Sequence, residues 1–105
     1  MRKKLKTGII GCGSIGSEIA SACVNEFARS VELVGLCDVD AEKASRLCRK
    51  LKRSNKIICD SPQTLAKKCD LLIEAAGMHA VSDAVKTAVK FKKNILVMSV
   101  GAIIS

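Results

Sequence analysis

Gly8-Ile9-Ile10-Gly11-Cys12-Gly13-Ser14-Ile15-Gly16 reads as the end of a buried strand, a tight glycine turn and the first turn of a helix. The three glycines of the turn have separate physical jobs. Gly11 allows the sharp reversal, Gly13 lets the backbone approach a bound group, and Gly16 lets helix and strand pack closely. The helix aims its unpaired N–H groups and positive dipole end at the mouth of the turn, which suits an anion. The anion this geometry fits is the pyrophosphate of a dinucleotide, held by Gly11, Cys12, Gly13, Ser14, Ile15 and Gly16. A GxGxxG run alone is common, so its meaning depends on what flanks it.

The flanks agree with it. Leu5 to Ile10 forms the first strand, and Ser14 to Phe27 a helix with Ile15, Ile19, Cys23 and Phe27 at every fourth residue along one face. Ala20 is small where that helix must approach the sheet. Val31 to Cys37 is a second strand that runs into Asp38, roughly twenty residues beyond Gly16, where a carboxylate can accept the hydroxyls of the adenosine ribose. Val39 stands where an arginine would clamp a 2′-phosphate, which favours NAD, while Lys43 keeps NADP open. Asp40 is placed to cap a helix from Ala41 to about Arg53. Lys56 to Cys59 reads as a short third strand, and Ser61-Pro62 as the cap and first residue of a helix to Lys68. Asp70 to Ala75 is the fourth strand, His79 to Phe91 a helix, and Asn94 to Ser99 the fifth strand.

Strands alternating with helices predict an α/β, doubly wound Rossmann-type domain over residues 1–105, three layers deep, with five parallel strands in the order 3-2-1-4-5. The loops Gly11–Gly16, Ala75–His79 and Ser99–Gly101 converge where the strand order reverses. Beyond the fifth strand the sheet has an open edge, so a second copy or another partner is expected to cover it.

Composition narrows the partners. The chain has 105 residues, a net charge of +8, and only Phe27 and Phe91 as aromatics. Few aromatics and no recognisable motif argue against nucleic acid. The basic clusters read as solvated helix ends, or as a positive field that draws in an anionic ligand. The six cysteines form no CxxC pair and, with a single histidine, no metal-ligand spacing. Reduced thiols, no signal peptide and no long apolar segment predict a cytoplasmic protein that spans no membrane. His79 lies beside the expected nicotinamide, as a capping residue or a cofactor contact. Glu74 reads as a structural carboxylate, and Met78 and Met98 as apolar walls. Cys12, near a helix N-terminus, is expected to have a lowered thiol pKa or to serve in packing. None of these is assigned a catalytic role.

Four segments together carry a family resemblance: the glycine stretch through Ala20, Asp38 with Glu42-Lys43-Ala44, Glu74-Ala75-Ala76-Gly77, and Val97-Met98-Ser99-Val100-Gly101-Ala102. They resemble the cofactor-binding half of L-aspartate dehydrogenases. Glucose–fructose oxidoreductase-like proteins usually have Glu-Lys-Pro in place of Ser99-Val100-Gly101, and homoserine dehydrogenase and dihydrodipicolinate reductase fit this last segment less well. The resemblance implies hydride transfer from Cα of aspartate to the nicotinamide, giving iminoaspartate or, after hydrolysis, oxaloacetate and ammonia. It places Ala75, Ala76 and Gly77 on the nicotinamide side, with Ser99, Val100 and Gly101 beside it. In that family a second domain carries the substrate-binding residues and a catalytic histidine, so this chain is expected to be one piece of a longer enzyme. The alternative is a stand-alone module that binds or senses NAD(H) without catalysis.

Overall fold

In a computed structural model of the chain, residues 3–99 are described. The elements run β1 (Leu5–Ile10), α1 (Ser14–Val24), β2 (Val31–Cys37), α2 (Ala41–Leu51), a 3-10 turn (Asn55–Ile57), α3 (Pro62–Lys68), β3 (Leu71–Glu74), α4 (Met78–Phe91) and β4 (Asn94–Val97). All strand pairings are parallel, in the order β2-β1-β3-β4. The sheet therefore has four strands where five were expected, and the expected fourth and fifth strands are β3 and β4.

The expected third strand is reduced to one parallel bridge between Leu36 and Ile58. The cause is local. Ser54 Oγ accepts the Lys56 N–H at 3.1 Å, and the Ile57 and Ile58 amides turn back to Ser54 and Asn55. Those donors are spent on a 3-10 turn, and only Cys59 N–H is left to reach the Leu36 carbonyl, at 2.7 Å.

Two apolar layers sandwich the sheet. Ile9, Leu36 and Ile73 face α1 and α2, whereas Ile10, Cys37 and Leu72 face α3 and α4. Such double-sided burial is why these strands are short aliphatic runs. Helix α1 buries Gly16, Ala20 and Cys23, so that of the stripe read from its spacing Cys23 is buried and Ile19 partly buried, while the ends Ile15 and Phe27 are not. Ile15 and Phe27 are 55% and 54% exposed. The helix also stops at Val24: Asn25 leaves the helical conformation at φ −112° and ψ −80°, its backbone N–H and side-chain amide both donating to the Ser21 carbonyl, at 3.0 and 2.9 Å. The capping expectations hold: Asp40 Oδ1 accepts the Glu42 N–H at 3.0 Å, and Ser61 Oγ accepts that of Thr64 at 3.1 Å, with Pro62 at the first helical position.

One packing feature joins the layers. The β1–β2 register slips between Thr7 and Gly8, which brings Gly8 opposite Gly35. These two positions form a socket for Leu65 of α3, whose side chain fills the space a Cβ at either glycine would need. Leu65 is fully buried. Leu65→Ala is expected to lower the unfolding free energy by about 2–5 kcal/mol, because a rigid socket between two strands cannot collapse onto the smaller side chain. Urea denaturation is the check, and a loss below about 1 kcal/mol contradicts the socket.

Candidate functional site

The strand order reverses between β1 and β3, and the loops at their carboxyl ends touch. Gly11 has φ of 103°, and a Cβ there would lie 2.6 Å from both the Ala75 carbonyl carbon and the Ala76 nitrogen. Any other residue would be strained twice, by conformation and by contact. Its N–H donates to the Cys37 carbonyl at 2.7 Å, and the Ala75 N–H donates to the Ile10 carbonyl at 2.7 Å. A Cβ on Gly16 would run into the Gly11 carbonyl oxygen. Gly13 differs from both: nothing lies within 4 Å of where its Cβ would sit. The protein's own packing thus explains the first and third glycines and leaves the second unexplained. Gly13 is also the N-cap of α1, and no side chain caps that helix end.

Asp38 is fastened to this turn. Its Oδ2 accepts the Cys12 N–H at 2.7 Å and its Oδ1 the Asp40 N–H at 2.8 Å. Each carboxylate oxygen keeps a further acceptor site. Asp38 lines a cleft of about 440 Å³ together with Gly11, Gly13, Val39, Ala75, Ala76 and His79. These residues, far apart in sequence, come together as expected. Val39 is fully exposed at the rim, and His79 is exposed at the start of α4. Ser14 and Ile15 are exposed at the start of α1 outside the cleft wall, and Gly16 is buried beneath the turn. Val100 and Gly101 lie outside the described residues.

The cleft also holds residues not expected from the sequence, namely Asp60, Pro62 and Asp83, with Lys43 as its only Lys or Arg among the described residues. Asp60 ends the vestigial third strand as Asp38 ends the second, and Asp83 lies one helical turn beyond His79. Those spacings were available signals. The lysines and arginines that give the chain its positive charge do not otherwise line the cleft, so a basic field drawing in the ligand there is not what the structure shows.

Cys12 is corrected. Its thiol is buried, and its pKa is pushed up to about 12 by burial first, then by the nearby Asp38 carboxylate and Cys37. The helix N-terminus does not offset these effects, so Cys12 serves in packing. All six cysteines are free and buried, and no cluster of three or more metal-binding side chains occurs among the described residues. Among these residues no helix is long and apolar enough to cross a membrane.

Glu74, at the end of β3, is fully buried. Its Oε2 accepts from Ala76 N at 2.8 Å, Gly77 N at 2.9 Å and Ser99 Oγ at 2.7 Å, while Oε1 accepts from Ser99 N at 3.1 Å. Burial pushes its pKa up, but the bonds from Ser99, Gly77 and Ala76 outweigh burial and hold it below the ordinary carboxylate value. It is a structural carboxylate, paired with backbone and hydroxyl donors. Gly77 and Ser99 belong to this arrangement and not to the cleft wall. Met78 and Met98 are partly exposed, at 44% and 41%.

The sequence profile described as homoserine dehydrogenase, NAD binding domain, matches residues 11–105. The chain belongs to this family. The curated relatives it matches are named L-aspartate dehydrogenase. That of Methanococcus maripaludis is 33% identical over 99 residues, covering 93% of this chain and 36% of the relative. That of Methanosarcina acetivorans is 37% identical over 99 residues, covering 94% and 36%. The chain thus spans about a third of the length of these relatives. The resemblance read from the four sequence segments agrees with these names, although the family profile itself is named for homoserine dehydrogenase. Among solved structures, myo-inositol dehydrogenase from Lactobacillus casei, in complex with NAD(H) and myo-inositol, matches with a TM-score of 0.81 and 23% identity over 90% of this chain and 28% of that one. UDP-N-acetylglucosamine 3-dehydrogenase from Acidithiobacillus ferrooxidans matches with a TM-score of 0.74 and 21% identity over 91% and 30%. At those identities the likeness establishes the family's Rossmann-like fold.

The lowered pKa of Glu74 gives a pH dependence of definite sign. A carboxylate whose folded pKa is depressed contributes stability that is fully present above its ordinary value, 4.5, and is lost as pH falls through the folded value. Glu74→Gln is expected to cost about 1–3 kcal/mol at pH 7 and to flatten the decline in stability below pH 4.5. Denaturation curves from pH 7 to pH 3 measure both effects, and an unchanged acid limb removes Glu74 from this role.

Proposed function

We propose that this chain is the cofactor-binding domain of an L-aspartate dehydrogenase-like oxidoreductase and that it takes NAD. The single observation carrying the cofactor reading is Gly13. Gly11 and Gly16 are needed by the fold, but open space surrounds Gly13 at an uncapped helix N-terminus. A glycine there suits the close approach of a pyrophosphate, with the α1 N–H groups facing its charge. The turn Gly11–Gly16 holds the pyrophosphate and Asp38 the adenosine ribose. Val39 and His79 flank the bound cofactor. Ala75, Ala76 and Gly77 lie on the nicotinamide side with Ser99, Val100 and Gly101. The acids of the cleft, Asp38, Asp60 and Asp83, disfavour a 2′-phosphate, and Lys43 is the one basic side chain to receive it.

When bound, the nicotinamide supplies the hydride acceptor. The chain's own part is to hold and orient it. Aspartate deamination is proposed for the protein in which this domain is joined to the remainder of the relatives' length. The relatives' names support that substrate. The β4 edge, where Leu96 is 49% exposed, is covered in this reading by a second copy of the chain. Sedimentation equilibrium is expected to return a dimer, and a monomer at all concentrations excludes the second copy.

Gly13→Ala separates ligand space from fold. It is expected to leave the unfolding free energy within about 0.5 kcal/mol, since the φ of −80° is open to any residue and no protein atom is displaced. It is also expected to weaken NADH binding at least about tenfold in calorimetric titration, by excluding the phosphates from the turn. Unaltered affinity overturns the cofactor reading. Asp38→Ala is expected to weaken NAD more than NADP, and an equal loss for both removes Asp38 from the ribose.

A further inference from the structure

In the cofactor reading above, the two halves of the dinucleotide meet differently built walls. The adenosine half faces Asp38, whose carboxylate is fixed by the Cys12 and Asp40 amides. The opposite half, on the β3–β4 side of the glycine turn, faces two loops that share no regular backbone ladder. Their only described tie besides the Met98 amide bond to the Glu74 carbonyl, at 2.9 Å, is the Glu74 side chain.

We propose that Glu74 is a positioning residue for the nicotinamide half of the cofactor, its buried carboxylate holding the Ala75–Gly77 turn and Ser99 in one fixed relation. This rests on the cofactor reading above. Gly77 sits at φ of 123°, a conformation glycine adopts freely, and its amide is held by Oε2 at 2.9 Å. The same oxygen holds the amide of Ala76, which lines the cleft, so the start of α4 and its exposed His79 are set by this carboxylate. The two Ser99 bonds fix the end of β4 to the same group. All four donors are uncharged, and no basic side chain pairs with Glu74 among them. The carboxylate is fully buried and its four hydrogen bonds outweigh the desolvation cost, so both loops are held to one charged group. Glutamine cannot substitute fully: its amide nitrogen presents hydrogens to at least one of the four incoming donors, whichever way it turns.

The test compares NADH with ADP-ribose, which keeps the adenosine, both phosphates and both riboses but lacks the nicotinamide. Calorimetric titration of the whole chain is expected to show NADH bound more tightly than ADP-ribose. In Glu74→Gln, NADH affinity is expected to fall about tenfold, as one charge-assisted bond is lost, while ADP-ribose stays within about twofold. Amide exchange at Ala76, Gly77 and Ser99 is expected to speed up together in the variant. If Glu74→Gln does not fold, Glu74→Asp, which keeps the charge and withdraws it by one methylene, is expected to show the same bias to a smaller degree. Equal losses for the two ligands reduce Glu74 to a structural role and overturn the proposal, as does no loss for either. Wild-type chain that binds ADP-ribose as tightly as NADH also overturns it, while leaving the cofactor reading standing. Wild-type chain that binds neither overturns both.

Discussion

The distance between helix α1 and the turn before it is set by the absence of a side chain at Gly16. The Gly11 carbonyl occupies the place a Cβ would take. That contact fixes where the helix N-terminus points and, through Gly11, how close the β3–α4 loop can come, since Ala75 and Ala76 fill the space beside it. The turn, the helix that follows it and the distant β3–α4 loop are therefore located by two missing methyl groups. The arrangement costs conformational entropy in the unfolded chain, as glycines do. It is offset by burial on both faces of the sheet, where aliphatic and thiol side chains from four helices close over the strands.

A second constraint acts from the other side of the same switch point. Glu74 ends a four-residue strand, and its charge is removed from water and met by three backbone amides and the Ser99 hydroxyl. Gly16 works by exclusion and Glu74 by attraction. The first sets how near two elements come, and the second sets how two loops are oriented once they are near. The Asp38 bond to the Cys12 amide belongs with the second kind. The glycine turn is thereby held at its tip by the residue at the end of β2, and the ligand-facing loops are braced by carboxylates from both neighbouring strands. A cleft built this way is organised before any ligand arrives, which lowers the ordering cost of binding.

Much of this was legible in the sequence, wherever a residue's role depends on near neighbours. The glycine turn, the acid at the tip of the second strand, the Asp40 cap and the Ser61-Pro62 helix start are local statements, and each is found in place. The misreadings share a cause: they depended on what another segment does. The third strand had the composition of a strand, but Ser54 captured its amides. Spacing put Ile15 and Phe27 on a buried face, yet the requirement for closeness gave that face to Gly16, Ala20 and Cys23. No periodicity announces that Glu74 meets Ser99, or that a register slip makes Gly8 and Gly35 a socket for Leu65.

The charge distribution shows how little a net value says about a site. A chain of +8 carries three acids and one lysine among the charged walls of its cleft. Each helix of a parallel α/β fold points its C-terminus away from the strand carboxyl ends, and this chain places Arg49 and Lys50, Lys67 and Lys68, and Lys90 in those last turns. These five basic residues accordingly lie at the pole opposite the cleft, where they complement helix dipoles. Under the proposed reading, attraction for phosphates falls to backbone N–H groups at the start of α1, which act at short range and in a fixed direction. A side-chain cation in the same place would hold a phosphate or a 2′-phosphate alike. Backbone donors at the turn, with acids along the proposed adenosine wall, would separate the pyrophosphate from any further phosphate on the ribose. Specificity for the cofactor would then follow from which charges the topology keeps away from the cleft as much as from those it places there.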